Sequence, residues 1–369
     1  MRARWLVLAV TAGACVAIPP PPAGRRLLDV DAVTGRVATR SDAPFQYTVE
    51  FSDRNPRMPQ AIVIDGVNRL AGDACPLEAG VGIGVYPAFA AGAPGLSGTE
   101  TQGGTFDVQW AGPVIARIAV GWNFHYDCSG AQIAQGTSTF TLFPNGRIVR
   151  HDVATPSTTT LTPDATSCGS CTNDTSFYFT SFWTFAAGSQ NVAPDGTPFV
   201  DGMSQQACAV YPNHTIGVSW PEALPTRVIT GRAVTPFVFD WANNVAMLAP
   251  TEREATTAIV LSEEHAPAKC ADVVADLARF QITSGSRQVD PDDNGIYQDP
   301  DRHTSPFAIS TPRQLPRGFA ISLDIGDHAT VTRQPAREGA WYGAQPDGAR
   351  TVLWFRDGLA VNETISIEP

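Results

Sequence analysis

Lysine is almost missing from this 369-residue chain: 24 arginines stand beside a single Lys269, and the formal net charge is −11. A basic face that could follow a phosphate backbone is therefore absent, which excludes nucleic acid as a partner. Charged residues of both signs make up only 17% of the chain, below the ~25% of an ordinary soluble domain. No apolar run comes near the ~20 residues that a membrane-spanning helix needs. Helical spacing is scarce, and Val273, Val274, Leu277 and Phe280 are its clearest instance. Several chemistries lack their motifs. Glu263-Glu264-His265 has no second histidine to complete a zinc-protease pattern. A nucleophile elbow, a glycine-rich phosphate loop and a prominent carboxylate pair for glycoside hydrolysis are also missing.

What the chain has is short β-rich runs separated by proline and glycine turns. Thr137–Phe143 and Arg147–Val153 flank Pro144-Asn145-Gly146. Proline pre-sets the first turn residue, asparagine tolerates the second, and glycine takes the left-handed position, so this segment is a hairpin. The same turn chemistry recurs at Pro194-Asp195-Gly196 and Pro346-Asp347-Gly348, and Asp357-Gly358 separates Thr351–Phe355 from Leu359–Val361. Ser176–Phe185 is an aromatic strand suited to burial on both faces. With no repeat period of 20–50 residues, the pattern predicts an all-β protein: an antiparallel sandwich over 25–285 and a smaller C-terminal β-module over 304–369. The Asp/Pro-rich stretch 286–303 separates them.

The first residues carry the layout of an export signal. Met1-Arg2-Ala3-Arg4 is positive, Trp5–Val10 is a short apolar run, and Ala12-Gly13-Ala14 supplies small residues for cleavage. The signal is assigned to 1–17, followed by a polyproline spacer, Pro19–Pro22, within 18–24. An alternative cut before Cys15 would leave a cysteine for lipidation, although Ala12 stands where a lipobox usually has leucine. The expected location is outside the cytoplasm: secreted, periplasmic or on the outer surface, with a lipid anchor in the second case. The arginine bias suits a bacterial source. Cys75, Cys128, Cys168, Cys171, Cys208 and Cys270 then make an even set in an oxidising compartment, which predicts disulfides of unspecified pairing.

Asp290-Pro291-Asp292-Asp293-Asn294-Gly295-Ile296-Tyr297-Gln298-Asp299-Pro300-Asp301 fits D-x-D-x-N-G-x5-[DE]. Carboxylates at Asp290 and Asp292, the Asn294 amide oxygen, the Ile296 carbonyl and Asp301 are the oxygens that a Ca²⁺ loop would use, with Gly295 making the sharp turn. The bland alternative is an acidic solvated turn. A bound Ca²⁺ would serve structure, pinning two β-layers at a weak affinity of about 10⁻⁴–10⁻³ M.

Trp110-Ala111-Gly112-Pro113-Val114, leading into Ile115–Val120 and then to the Phe140–His151 hairpin, resembles strands of the galactose-mutarotase-like β-supersandwich. The resemblance covers under 50 residues and implies a carbohydrate-active fold of the kind found in secreted polysaccharide lyases. A lyase acting on an acidic sugar needs a cation to neutralise the carboxylate and a base to take the α-proton. Arg150 or Arg147, with His125, Tyr126 or His151, are the residues of those types on neighbouring strand candidates. Trp341 and Tyr342 are the aromatic pair expected at an exposed turn, where a flat ring could pack on a sugar's apolar face. The leading expectation is an exported carbohydrate-binding protein. A lyase for acidic glycans is the first alternative and a non-catalytic structural or adhesive envelope protein the second.

Overall fold

Alternating apolar residues bring the strands together as layers in the computed structural model. It describes residues 26–53, 57–70, 81–87, 99–101, 104–126, 132–156, 176–198, 205–219, 226–228, 235–246, 253–315, 317–326, 329–336 and 341–369. The architecture is all-β. A nine-stranded antiparallel sheet holds the centre, with the Arg147–Pro156 strand between Gln132–Leu142 and Arg253–Ser262. The turn joining Gln132–Leu142 to Arg147–Pro156 closes on Gly146 at φ 83°, the conformation that its Pro-Asn-Gly sequence requires.

The inner face of this sheet buries Ile118, Val120, Trp122, Phe140, Ile148, Ile216 and Ile259 against an opposing layer. That layer begins with five strands between Leu28 and Asn68, which supply Val37, Val49, Phe51 and Ile62. It continues through a bridge between Leu70 and Phe185 into a four-stranded sheet containing Ser176–Phe185. Together these make the large sandwich.

The outer face of the nine-stranded sheet is covered as well. Val149, Ala258, Val260, Cys208 and Val210 pack there against Val273, Val274 and Leu277, and against Ile296, Ala320, Val352 and Trp354 of the C-terminal residues. The helix over this face is short, Cys270–Ala275, and Cys270 is tied to Cys208 by a disulfide. Phe280 of the predicted apolar set falls beyond it. Cys15, Cys75, Cys128, Cys168 and Cys171 lie outside the described residues.

The C-terminal module is a smaller sandwich with its own core of Ile282, Ile309, Phe319, Ile321, Leu353, Phe355 and Ile365. Its two sheets hold five and four strands. The first of these strands is Ile282–Ser284, so the module's sheet takes in residues ahead of the Asp/Pro-rich stretch. Thr351–Phe355 lies in a strand as expected, but Leu359–Val361 does not. After Phe355 the backbone turns, the buried Arg333 side chain takes the Asp357 and Gly358 carbonyls, and Arg333 pairs with Glu363 at 2.5 Å. These bonds use acceptors that a strand ladder would need.

Candidate functional site

Strand alternation gives Arg147, Val149 and His151 to the outer face of the nine-stranded sheet and Ile148, Arg150 and Asp152 to the inner one. Arg150 is therefore a core residue. Its side chain is fully buried, Nε donates to Asp152 Oδ1 at 2.9 Å, and the guanidinium lies 5.6 Å from the Phe140 ring and 6.0 Å from Trp183. Asp152 also accepts from the Ser138 hydroxyl at 2.5 Å, and Ser138 accepts from Trp122 Nε1 at 3.2 Å. A guanidinium sealed between sheets offers no route to a substrate, which corrects the catalytic reading of Arg150.

His125 and Tyr126 end the Ala116–Tyr126 strand, and their side chains are outside the described set. The backbone register still places them. Arg150 pairs with Phe140, which pairs with Ile118, seven residues before His125. At ~3.3 Å per residue that is about 23 Å along the strand. His151 reaches Ala119 through Thr139, which leaves about 20 Å to His125. The four residues grouped by chemistry are held at opposite ends of one sheet.

On the outer face, Arg147 sits at the floor of a cleft of about 480 Å³. Gln205, Gln206, Ser219 and Thr256 line it with neutral polar groups, Leu277 and Val149 with apolar ones, and Arg279 and Asp292 stand at its edge. Arg147 is 5% exposed, yet its guanidinium makes no hydrogen bond among the described residues, and Nε is fully shielded from solvent. Burial lowers its pKa, while Tyr297, Asp276 and Asp292 act in the opposite direction from nearby. None of these three side chains hydrogen-bonds it. Burial also raises the pKa of the Asp276 carboxyl, against the pull of Arg317 and Arg147. Arg117, on the same sheet face, stacks 3.7 Å over Trp110 and leaves Nε and one terminal nitrogen without hydrogen-bond partners.

The Asp290–Asp301 segment forms the other wall. Asp292 Oδ1 accepts the backbone N–H groups of Asn294 (2.9 Å) and Ile296 (2.8 Å), and its Oδ2 accepts from Gln298 Nε2 at 3.1 Å. The Ile296 carbonyl accepts the Asp292 N–H at 2.8 Å. Asp290 accepts from Gln281 at 3.2 Å and Asp301 from Arg287 at 3.2 Å, while the buried Asn294 Oδ1 has no hydrogen-bond partner. From Ile296 the chain runs as a strand to Arg302. Ile296 pairs with Ala320 and Arg302 with Asp324, so even with the bulge after Gln298 Asp301 lies about 10–13 Å beyond Ile296, whereas calcium ligands meet at ~2.3–2.6 Å. The five expected oxygens are spread along a tight turn and a bulged strand.

Trp341 and Tyr342 are half-buried. The Trp341 ring stacks 5.9 Å from Phe355 and lies 4.8 Å from Tyr342, which opens the Tyr342–Asp347 strand. They close the C-terminal core, and Arg333 sits 5.9 Å over the Trp341 ring.

Two other polar groupings had no local signal in the chain. Asp299 is buried and accepts from Ser284 and from His303 Nε2 at 2.7 Å. The carboxylate sits between the two, so Ser284 and His303 do not form a nucleophile–base pair. His151, Glu254 and Asp293 bring one metal-ligating atom each to within 4.8 Å of one another.

No family model matches the chain, and no curated protein matches it either. Solved structures do. A heparan sulfate lyase from Pedobacter heparinus aligns over 77% of this chain and 40% of its own length, at 8% identity and TM-score 0.39. A galactose 1-epimerase from Lactobacillus acidophilus aligns over 62% of this chain and 95% of its own, at 10% identity and TM-score 0.35. A chondroitin AC lyase from Streptomyces coelicolor aligns over 95% of this chain and 50% of its own, at 11% identity and TM-score 0.35. The chain spans two fifths to one half of the lyases' lengths. These matches are of the kind that the Trp110–His151 resemblance named.

Proposed function

We propose that this chain is an exported carbohydrate-binding protein that takes an acidic saccharide into the cleft over Arg147. One observation carries the reading: an arginine 95% removed from solvent, lining a cleft, whose guanidinium has no hydrogen-bond partner among the described residues. Arginine stays protonated in proteins, and a buried charge without a partner is costly. A carboxylate or sulfate bound there would relieve that cost through a two-pronged, charge-assisted contact. The amides of Gln205 and Gln206 and the hydroxyls of Ser219 and Thr256 suit a polyhydroxylated ligand, and the volume falls within the ~300–1,000 Å³ usual for ligand sites.

Binding fits better than lyase chemistry. Arg147 and His151 are four residues apart on one strand, about 13 Å. A neutralising cation and a base must instead meet at one carboxyl and its adjacent carbon. Calorimetry against uronic-acid and sulfated oligosaccharides, with neutral glycans alongside, tests the proposal. Acidic ligands should bind and neutral ones should not, Arg147→Met should abolish binding, and affinity should fall with rising salt. Equal binding of neutral glycans, or an unchanged Arg147→Met variant, would overturn it. Appearance of an unsaturated, ultraviolet-absorbing product would move the assignment to a lyase.

A further inference from the structure

We infer that His151, Glu254 and Asp293 form a binding site for a divalent transition ion of the Zn²⁺ type, an assignment that stands apart from the saccharide reading. The three residues are far apart in sequence and are brought together by the fold. His151 and Glu254 lie on adjacent strands: His151 pairs with Thr256 and Val153 with Glu254, so Glu254 is the diagonal neighbour of His151 on the outer face. Asp293 comes from the C-terminal module, in the tight turn ahead of Ile296–Arg302.

Thr256 Oγ1 lies 3.1 Å from His151 Nδ1 and 3.4 Å from Asp293 Oδ1. When the hydroxyl donates to Asp293 it accepts from Nδ1–H, which leaves Nε2 as the nitrogen with a free lone pair. An outer partner that fixes tautomer and ring orientation in this way is the usual support of a metal-ligating histidine. The ligating atoms stand within 4.8 Å of one another. Around a tetrahedral Zn²⁺, with bonds of ~2.0–2.2 Å, ligand atoms are about 3.3 Å apart. Glu254 and Asp293 are exposed, so the contraction would come from rotation of their side chains. One imidazole nitrogen and two carboxylates favour a transition ion over Ca²⁺, which takes six to eight oxygens. Arg279, 3.5 Å from Asp293, is the one cation paired with either carboxylate among the described residues. A bound dication would balance both acids and fasten the C-terminal module to the nine-stranded sheet beside the cleft.

The test uses the full chain after chelator treatment, titrated calorimetrically with Zn²⁺ and separately with Ca²⁺. One Zn²⁺ per chain is expected, with a raised melting temperature. Thr256→Val should weaken Zn²⁺ binding ~10–100-fold, and His151→Ala and Asp293→Asn should weaken it more. Asp293 is exposed, so its variant keeps the experiment informative if His151→Ala folds poorly. Absence of Zn²⁺ binding, or binding that neither His151→Ala nor Asp293→Asn weakens, would overturn the inference. So would Ca²⁺ binding in preference to Zn²⁺. A thiolate charge-transfer band in Co²⁺-loaded protein would do the same, since it would locate the ion on cysteines.

Discussion

Asp152→Asn is the sharpest test of how the sandwich is held together. The substitution keeps the side chain's shape and removes one charge from a pair whose two side chains are both 0% exposed. Arg150 would then remain charged between Phe140 and Trp183, facing a neutral amide, and Ser138 would lose its ionised acceptor. Removing one member of a buried ion pair typically costs ~3–5 kcal/mol, because the remaining buried charge loses that compensation. Domains are stable by only ~5–15 kcal/mol, so this single change should consume about a fifth of the total or more. With a urea slope of ~2–3 kcal/mol per molar, the unfolding midpoint should fall by about 1–2 M.

The pair's net value is a separate quantity, and a second variant isolates it. In Arg150→Met with Asp152→Leu both charges go, and apolar side chains of similar bulk fill the space between the sheets. Replacing a whole buried pair is often neutral or stabilising by ~1–4 kcal/mol, so the double variant should recover most of what Asp152→Asn loses. Urea unfolding followed by tryptophan fluorescence is a suitable assay, since Trp122 and Trp183 adjoin the pair. Asp152→Asn within 1 kcal/mol of the parent would mean that water or another group reaches Arg150. A double variant as weak as the single one would mean that the pair itself, rather than relief of an orphaned charge, holds the layers.

Two further outcomes follow from buried groups elsewhere. His214 is 1% exposed and stacked 4.7 Å from the Tyr211 ring; desolvation, with help from Arg69, lowers its pKa from 6.5 to about 4. Between those values the unfolded chain takes up a proton that the folded one refuses. This contribution is complete above pH 6.5 and is lost as pH falls toward 4, by on the order of 1–2 kcal/mol after allowance for solvent screening. Melting curves at pH 7.5 and 4.5 should therefore lie closer together for His214→Phe than for the parent; equal separations would refute the assignment. Replacing Cys208 and Cys270 by serine opens a crosslink spanning 62 residues. A loop of that length corresponds to about 4 kcal/mol in chain entropy, and urea unfolding of the double serine variant should show that loss.

Local chemistry made parts of this molecule legible in its sequence, and distance hid the rest. The Phe140–His151 hairpin could be read because Pro144, Asn145 and Gly146 each have a conformational preference that acts within four residues. Alternation likewise divided Arg147 and His151 from Arg150 and Asp152. It could not say which face would be sealed, because that depends on Trp183 and Thr257, contributed by strands far along the chain. The Asp290–Asp301 motif says little by itself about wrapping, for a related reason. Its spacing lists oxygens by position, but whether Asp301 returns to the others depends on the path after Gly295. Ile296 and Tyr297 are buried by the sheet and module they enter, and that burial commits the chain to a strand. The β-branched and aromatic character of those two residues was the available signal for a strand. Arg147 carries the opposite lesson. Its lack of a partner is a property of everything packed over it, including a turn almost 150 residues later, so no local reading of Arg147-Ile148-Val149 could have told that this guanidinium would line an open cleft. The candidate site is thus built by the docking of the C-terminal module onto the sheet. Changes at Asp292 or Gly295, remote in sequence from the cleft's floor, should accordingly alter what that cleft accepts.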